Sequence, residues 1–94
     1  MRPPLRVGTV YDFRNTPESG LDMPSLYAAI IDQVVMLDRI GLDLVWFTEH
    51  HFLDEYSHLS ANDVMCGYFA HATDRIHIGS GIFNPLPQVN HPAK

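Results

Sequence analysis

Glu49, His50 and His51 stand together in mid-sequence, directly after the apolar run 44–47. A carboxylate beside two imidazoles is the densest set of proton-handling groups in the chain. Two chemistries are open to it. Histidine is the commonest transition-metal ligand, and because it ordinarily titrates between about pH 5 and 8 it is also the usual general base. Spacing weighs against the metal. Neighbouring residues of a strand point to opposite faces, so His50 and His51 do not readily share one ion. The sequence also lacks HExxH and an HxH pair at a strand end. One histidine aimed into a pocket and held by a carboxylate fits better. The plainer alternative stays open: Glu49 and the histidines end a strand and bond to their neighbours, as buried polar groups must.

The elements that would position these groups follow from local pattern. Residues 5–11, rich in β-branched side chains, predict a strand. The polar, turn-rich stretch 12–22 is a long loop, a kind that is often functional. Leu26, Ile30, Val34 and Leu37 share one face of a helix over 23–40, with Pro24 in its first turn and Gly41 as its C-terminal cap. A second strand spans 42–48, and its centre is apolar on both faces, as a doubly covered parallel sheet requires. Ser60 and Asp63 form a capping-box pattern opening a helix to about Thr73, with Met65, Phe69 and Ala72 as its stripe and Val64 and Tyr68 widening it. Residues 75–83 predict a third strand and 84–92, with three prolines, a loop.

Strand, helix, strand, helix, strand implies right-handed crossovers and a parallel sheet in one unit, residues 1–94. A doubly wound nucleotide fold would place a glycine-rich turn after the first strand, yet Tyr11 is followed by Asp12, Phe13 and Arg14. Strand starts near residues 5, 42 and 75 match the repeat of a (β/α)8 barrel, in which eight units fill about 250 residues. In such barrels chemistry sits at the C-terminal ends of the strands, where Asp12, Glu49 to His51, and Ser80 with Gly81 fall. The fold class expected is therefore α/β: the first three β/α units of a truncated TIM barrel with parallel strands, whose two unpaired edges favour association.

Composition narrows the function. The 94 residues are 46% hydrophobic and 18% charged, which is globular rather than disordered. A net charge of −5 argues against phosphate-backbone binding and against a polybasic membrane anchor. No run approaches the roughly 20 apolar residues of a membrane span. Cys66 is the single cysteine, so no internal disulfide forms and a reducing, cytoplasmic location is expected.

Residues 41–52, GLDLVWFTEHHF, closely resemble the second-strand signature of bacterial luciferase-like flavin monooxygenases. Three further stretches agree in order: YDFRN at 11–15, ATDRIHIGSG at 72–81 and NHPA at 90–93, the last resembling the entry to a third helix. The resemblance implies a barrel enzyme using reduced FMN, O2 and a small organic substrate, or in one branch the deazaflavin F420; the 11–15 stretch favours FMN. It implies His50 as the catalytic base beside the flavin. It implies Glu49, Ser80, Gly81 and Ile82 as flavin-pocket residues, the last three in a segment with a non-proline cis peptide between Gly81 and Ile82. Reducing equivalents would come from a separate flavin reductase, and the full-length protein would be a homo-oligomer. As an N-terminal portion, the chain alone is expected to bind flavin weakly and to be inactive. Competing expectations are F420-dependent hydride transfer, a non-enzymatic truncated fragment, and a metal hydrolase on another barrel. His51 is expected to pack or support, His77 to be structural or solvent-facing, and His58, His71 and His91 to have no chemical role. Trp46 and Phe47 are expected in the barrel core or against the helices, and Gly79 and Gly81 to allow close packing.

Overall fold

Two well-formed ends and an apolar stripe account for the longest element. The computed structural model, which describes residues 3–53, 56–86 and 88, places helix α1 at Met23–Ile40, the span its sequence predicts. Asp22 caps it by accepting the Ser25 backbone N–H at 2.9 Å. Pro24 sits in the first turn, where its missing N–H costs nothing. Gly41 ends the helix at φ 96°, and the amides of Gly41 and Leu42 return to the carbonyls of Asp38 and Leu37. Leu26, Ile30 and Val34 are buried; Leu37 is half-buried and Asp38 takes the last buried position.

That buried carboxylate is a clamp. Asp38 accepts the backbone N–H groups of Asp74 at 2.9 Å, Arg75 at 2.9 Å and Ile76 at 2.8 Å. The turn into the third strand is thereby held against the C-terminal end of α1. The amides of Asp74 and Ile76, then the amide and charge of Arg75, hold the Asp38 carboxyl below the usual carboxylate range against the opposing effect of burial. A depressed folded-state pKa stabilises the fold above the unfolded-state value of about 3.9, and this stability is lost as pH falls through the lower folded-state value. Asp38→Asn is expected to lower the melting temperature at neutral pH and to flatten the acid end of the stability profile. Circular dichroism melts across the acid range check both, and an unchanged profile would remove the clamp from the account.

Strands β1 (Gly8–Tyr11), β2 (Leu44–Phe47) and β3 (His77–Ser80) form one sheet in the order β1-β2-β3, both pairs parallel. Helix α2 (Asn62–Ala72) connects β2 to β3. The expected α/β alternation is present, and these are the first β/α units of the barrel. Each strand is shorter than its predicted segment because the flanks bond elsewhere. Asp43, for example, bridges the strand starts: its N–H donates to the Val7 carbonyl, its Oδ2 accepts the Val7 N–H and its carbonyl accepts the His77 N–H. A single 3-10 turn, Pro17–Ser19, lies in the loop after β1.

The sheet's two faces differ. Val45 and Phe47 point toward the helices and are fully buried with Phe13, Val34, Leu59 and Phe69. On the other face Val10, Trp46 and Gly79 lie side by side in register, and Val10 and Trp46 are 53% and 46% exposed. Coverage of both faces of β2 is therefore not realised among the described residues, and Trp46 is neither buried nor helix-facing. The reason is architectural. A barrel fills its interior with side chains from strands all round the ring, and three strands supply one wall. The indole of Trp46 lies against Gly79, where a Cβ would come within 2.1 Å of the ring, so the packing role expected for Gly79 is real.

Helix α2 departs from its predicted start. Its N-cap is Ala61, with no side-chain capping bond; Ser60 and Asp63 do not form a capping box. The helix begins at Asn62, whose side-chain amide is bonded at the strand ends. Asn62 and Phe69 are buried, with Met65 and Cys66 half-buried between them, while Val64 and Tyr68 face outward at 61% and 46% exposure. No helix among the described residues is long and apolar enough to cross a membrane. Asp54, Glu55, Pro87 and residues 89–94, including the predicted approach to a third helix at 90–93, lie outside the described residues.

Candidate active site

Parallel strands end at the same side of a sheet, so the residues after β1, β2 and β3 gather at one rim. The loops after β1 and β2 are stitched together there. Arg14 and Ser57 form an antiparallel bridge. The Asn15 N–H donates to the Tyr56 carbonyl at 3.0 Å, and the His58 N–H to the Phe13 carbonyl at 3.3 Å. His58 lies against the Asn15 carbonyl through Nε2 at 3.2 Å, a loop-holding contact. Phe13 turns the chain at φ 49°, a left-handed conformation that bulky residues avoid. Its ring is nonetheless buried edge-on to Tyr27 and Phe47, at 4.8 and 6.0 Å between centroids. Such strain collects at functional sites, where surrounding packing sustains it.

His50 lies in the angle between the stitched loops and is half-buried. Its Nδ1 is 2.9 Å from Ser57 Oγ and 3.4 Å from Thr48 Oγ1. Both hydroxyls continue to Asp12: Thr48 Oγ1 donates to Asp12 Oδ1 at 2.6 Å, and Ser57 Oγ donates to the Asp12 carbonyl. Asp12 and Thr48 were visible only as strand ends, and Ser57 carries no local signal at all. Among the described residues Nε2 has no hydrogen-bond partner.

Glu49 belongs to a second network. Its side chain is buried, and Oε2 accepts His51 Nε2–H at 3.1 Å and the Asn84 N–H at 2.9 Å. Residues two apart on extended backbone share a side, so the carboxylate meets His51 and not His50. Asp12 and two hydroxyls hold His50, while Glu49 ties the end of β2 to the loop after β3.

The third group joins the same rim. Asn62 is fully buried. Its Nδ2 reaches the Phe47 carbonyl at 3.1 Å, Ser80 Oγ at 2.7 Å and the Ile82 carbonyl at 2.7 Å, while Cys66 Sγ donates to its Oδ1 at 3.3 Å. Ser80 also donates to the Ile82 carbonyl, and the Gly81 N–H to the Phe47 carbonyl. Ser80 thereby turns its hydroxyl to Asn62 on the helix side, although the residue is exposed, as are Gly81 and Ile82. Every peptide bond between described residues is trans, Gly81–Ile82 included, where the resemblance implied cis. An amide on the 62, 65, 66, 69 stripe was the available signal for Asn62.

Other chemistry is limited. Burial, then the Asp63 carboxylate, pushes the Cys66 thiol up, away from nucleophilic thiolate. His77 is exposed within β3, and His71 is exposed on the last turn of α2. Among the described residues no three His, Cys, Asp or Glu side chains could together hold a metal ion.

No curated protein matches this sequence. The sequence model of the family described as luciferase-like monooxygenase matches residues 5–94, a span that takes in all three strands and the whole rim. With its parallel β/α units and the 41–52 segment at their mouth, the chain belongs to the luciferase-like monooxygenase family.

Proposed function

We propose that this chain forms one wall of the flavin pocket of an FMN-dependent monooxygenase, with His50 as its base. The observation that carries the reading is the rim itself: a half-buried imidazole held at Nδ1, beside an open apolar face. A flat heteroaromatic ring suits that face. Val10 and Trp46 are about half exposed on it, as are Ile82 and Phe83 in the segment after β3, and the backbone at Gly81 is open enough that a Cβ would make only ordinary contact.

Trp46, Gly81 and Ile82 would hold the ring. Ser80, fixed by Asn62, would set the backbone beneath it. Glu49 would hold the Asn84 loop in place. His50 would take a proton at Nε2 from the substrate side and return it. When bound, reduced FMN supplies the two electrons with which O2 places one oxygen atom in an organic substrate and the other in water. A separate flavin reductase would deliver the reduced cofactor to a homo-oligomeric protein in the cytoplasm, a setting in which the lone Cys66 stays reduced.

Trp46 is the only tryptophan in the sequence, so its emission reports on this face alone. Anaerobic titration of the protein with reduced FMN is expected to quench it saturably, and Trp46→Phe should abolish the signal. Saturable quenching by F420 alone would transfer the reading to hydride transfer. No saturable response to either would overturn a flavin pocket here.

A further inference from the structure

The hydroxyls that bracket His50 decide which of its nitrogens carries the proton. Ser57 Oγ owns one hydrogen, and it is directed at the Asp12 carbonyl oxygen, which can only accept. A carbonyl oxygen facing a hydroxyl oxygen repels it unless that hydrogen lies between them. Thr48 Oγ1 also owns one hydrogen. Its acceptors are Asp12 Oδ1 at 2.6 Å and, more distantly, the Tyr11 carbonyl at 3.4 Å. Both hydroxyl oxygens then present only lone pairs to Nδ1, at 2.9 and 3.4 Å. Two independent hydroxyls thus make the same requirement: Nδ1 must be the donor.

We infer that Asp12, Thr48 and Ser57 are positioning residues that hold His50 as its Nδ1–H tautomer, leaving Nε2 as the lone pair that takes the proton. The inference deepens the reading of His50 as a base and rests on it. The network is drawn from three segments: Asp12 follows β1, Thr48 follows β2, and Ser57 comes from the far side of the loop. Ser57 is 1% exposed and bridged to Arg14, so its oxygen is not free to swing. Its hydrogen cannot leave the Asp12 carbonyl without leaving that half-buried acceptor unpaired. The arrangement also serves both states of the ring. Neutral or cationic, Nδ1 keeps its hydrogen and its two acceptors, so proton uptake at Nε2 requires no rearrangement around the imidazole. Second partners that set the tautomer and aim of a catalytic histidine act in this way elsewhere.

The tautomer is read directly from protein labelled with [15N]histidine, by two-bond proton–nitrogen correlation, with His50 assigned by the signal lost in His50→Gln. The expected pattern for neutral His50 is a protonated Nδ1 and an unprotonated Nε2; the reverse pattern overturns the inference. Because the wild-type spectrum needs neither turnover nor flavin, it stands apart from the Trp46 quenching test. Ser57→Ala should shift the pattern toward Nε2–H and, in the full-length protein, lower kcat by about 10²-fold with little change in the KM for flavin. Ser57→Thr should restore both. A merely structural Ser57 would change folding yield or KM without moving the tautomer, and an unchanged tautomer with unchanged kcat in folded Ser57→Ala would also overturn it. If Ser57→Ala does not fold, the wild-type spectrum still decides.

Discussion

In the full-length protein His50→Ala is expected to lower turnover by about 10²–10⁴-fold, the contribution of a positioned general base, while reduced flavin still binds. The separation follows from where the imidazole sits. It is half-buried, so it contributes little to the core, and its neighbours do not depend on it for their own hydrogen bonds. Ser57 and Thr48 keep their Asp12 acceptors when the ring is gone. Trp46 occupies a different row of the sheet, beside Val10 and Gly79. The fold and the ring-binding face should therefore survive a change that removes the proton acceptor. Steady-state kcat, a thermal melt and the flavin titration on the same preparation separate the effects. Added imidazole should restore part of the lost rate. Undiminished turnover in a folded, flavin-binding variant would end the assignment of His50.

Phe47→Ala should cost about 3–5 kcal/mol, the usual penalty for emptying a buried phenyl position. Phe47 is fully buried at the centre of the helix-facing side. It stacks on Phe69 with centroids 4.7 Å apart and meets Phe13 edge-on at 6.0 Å, with Tyr11 tilted against it at 6.0 Å. It thereby joins β1, β2, α2 and the strained turn at Phe13, so neighbours on several elements would have to move to fill the void. Against a total stability of about 5–15 kcal/mol, that loss removes much of the folded state. Trp46→Ala, one residue earlier on the same strand, should cost less, because nearly half of the indole is already in water. Urea midpoints for the two variants test the assignment of faces. A larger loss at Trp46 than at Phe47 would reverse it.

What could be read along the chain was local. Pro24, Gly41 and the 26, 30, 34 spacing delimit α1 because each acts within a turn of itself. The alternation of strands and helices, with Leu44 to Phe47 apolar throughout, was enough for a parallel sheet and for a rim carrying Asp12, Glu49, His50 and His51. What failed was partnership across distance. Ser57 is 45 residues from Asp12, Asn62 is 18 and 20 from Ser80 and Ile82, and Asp38 is 38 from Ile76. No periodicity carries such pairings. The capping box at Ser60 did not form, and the helix starts at Asn62 with Ala61 as its N-cap. The pairing of Glu49 with His51 was within reach, since extended backbone brings residues two apart to one side.

Parallel strands have no tight turn between them to set their alignment; their crossovers are long enough to permit slippage. Asn62 supplies a gauge at the place where alignment matters. Sliding β3 by one residue would carry Ser80 about 3.3 Å along the sheet and turn it to the opposite face. The buried amide would then lose its hydroxyl partner and its carbonyl at Ile82 while remaining shut away from water. Misaligned sheets are thus penalised at the chemical end of the strands, and a chain that has folded with the wrong offset cannot present a well-ordered rim.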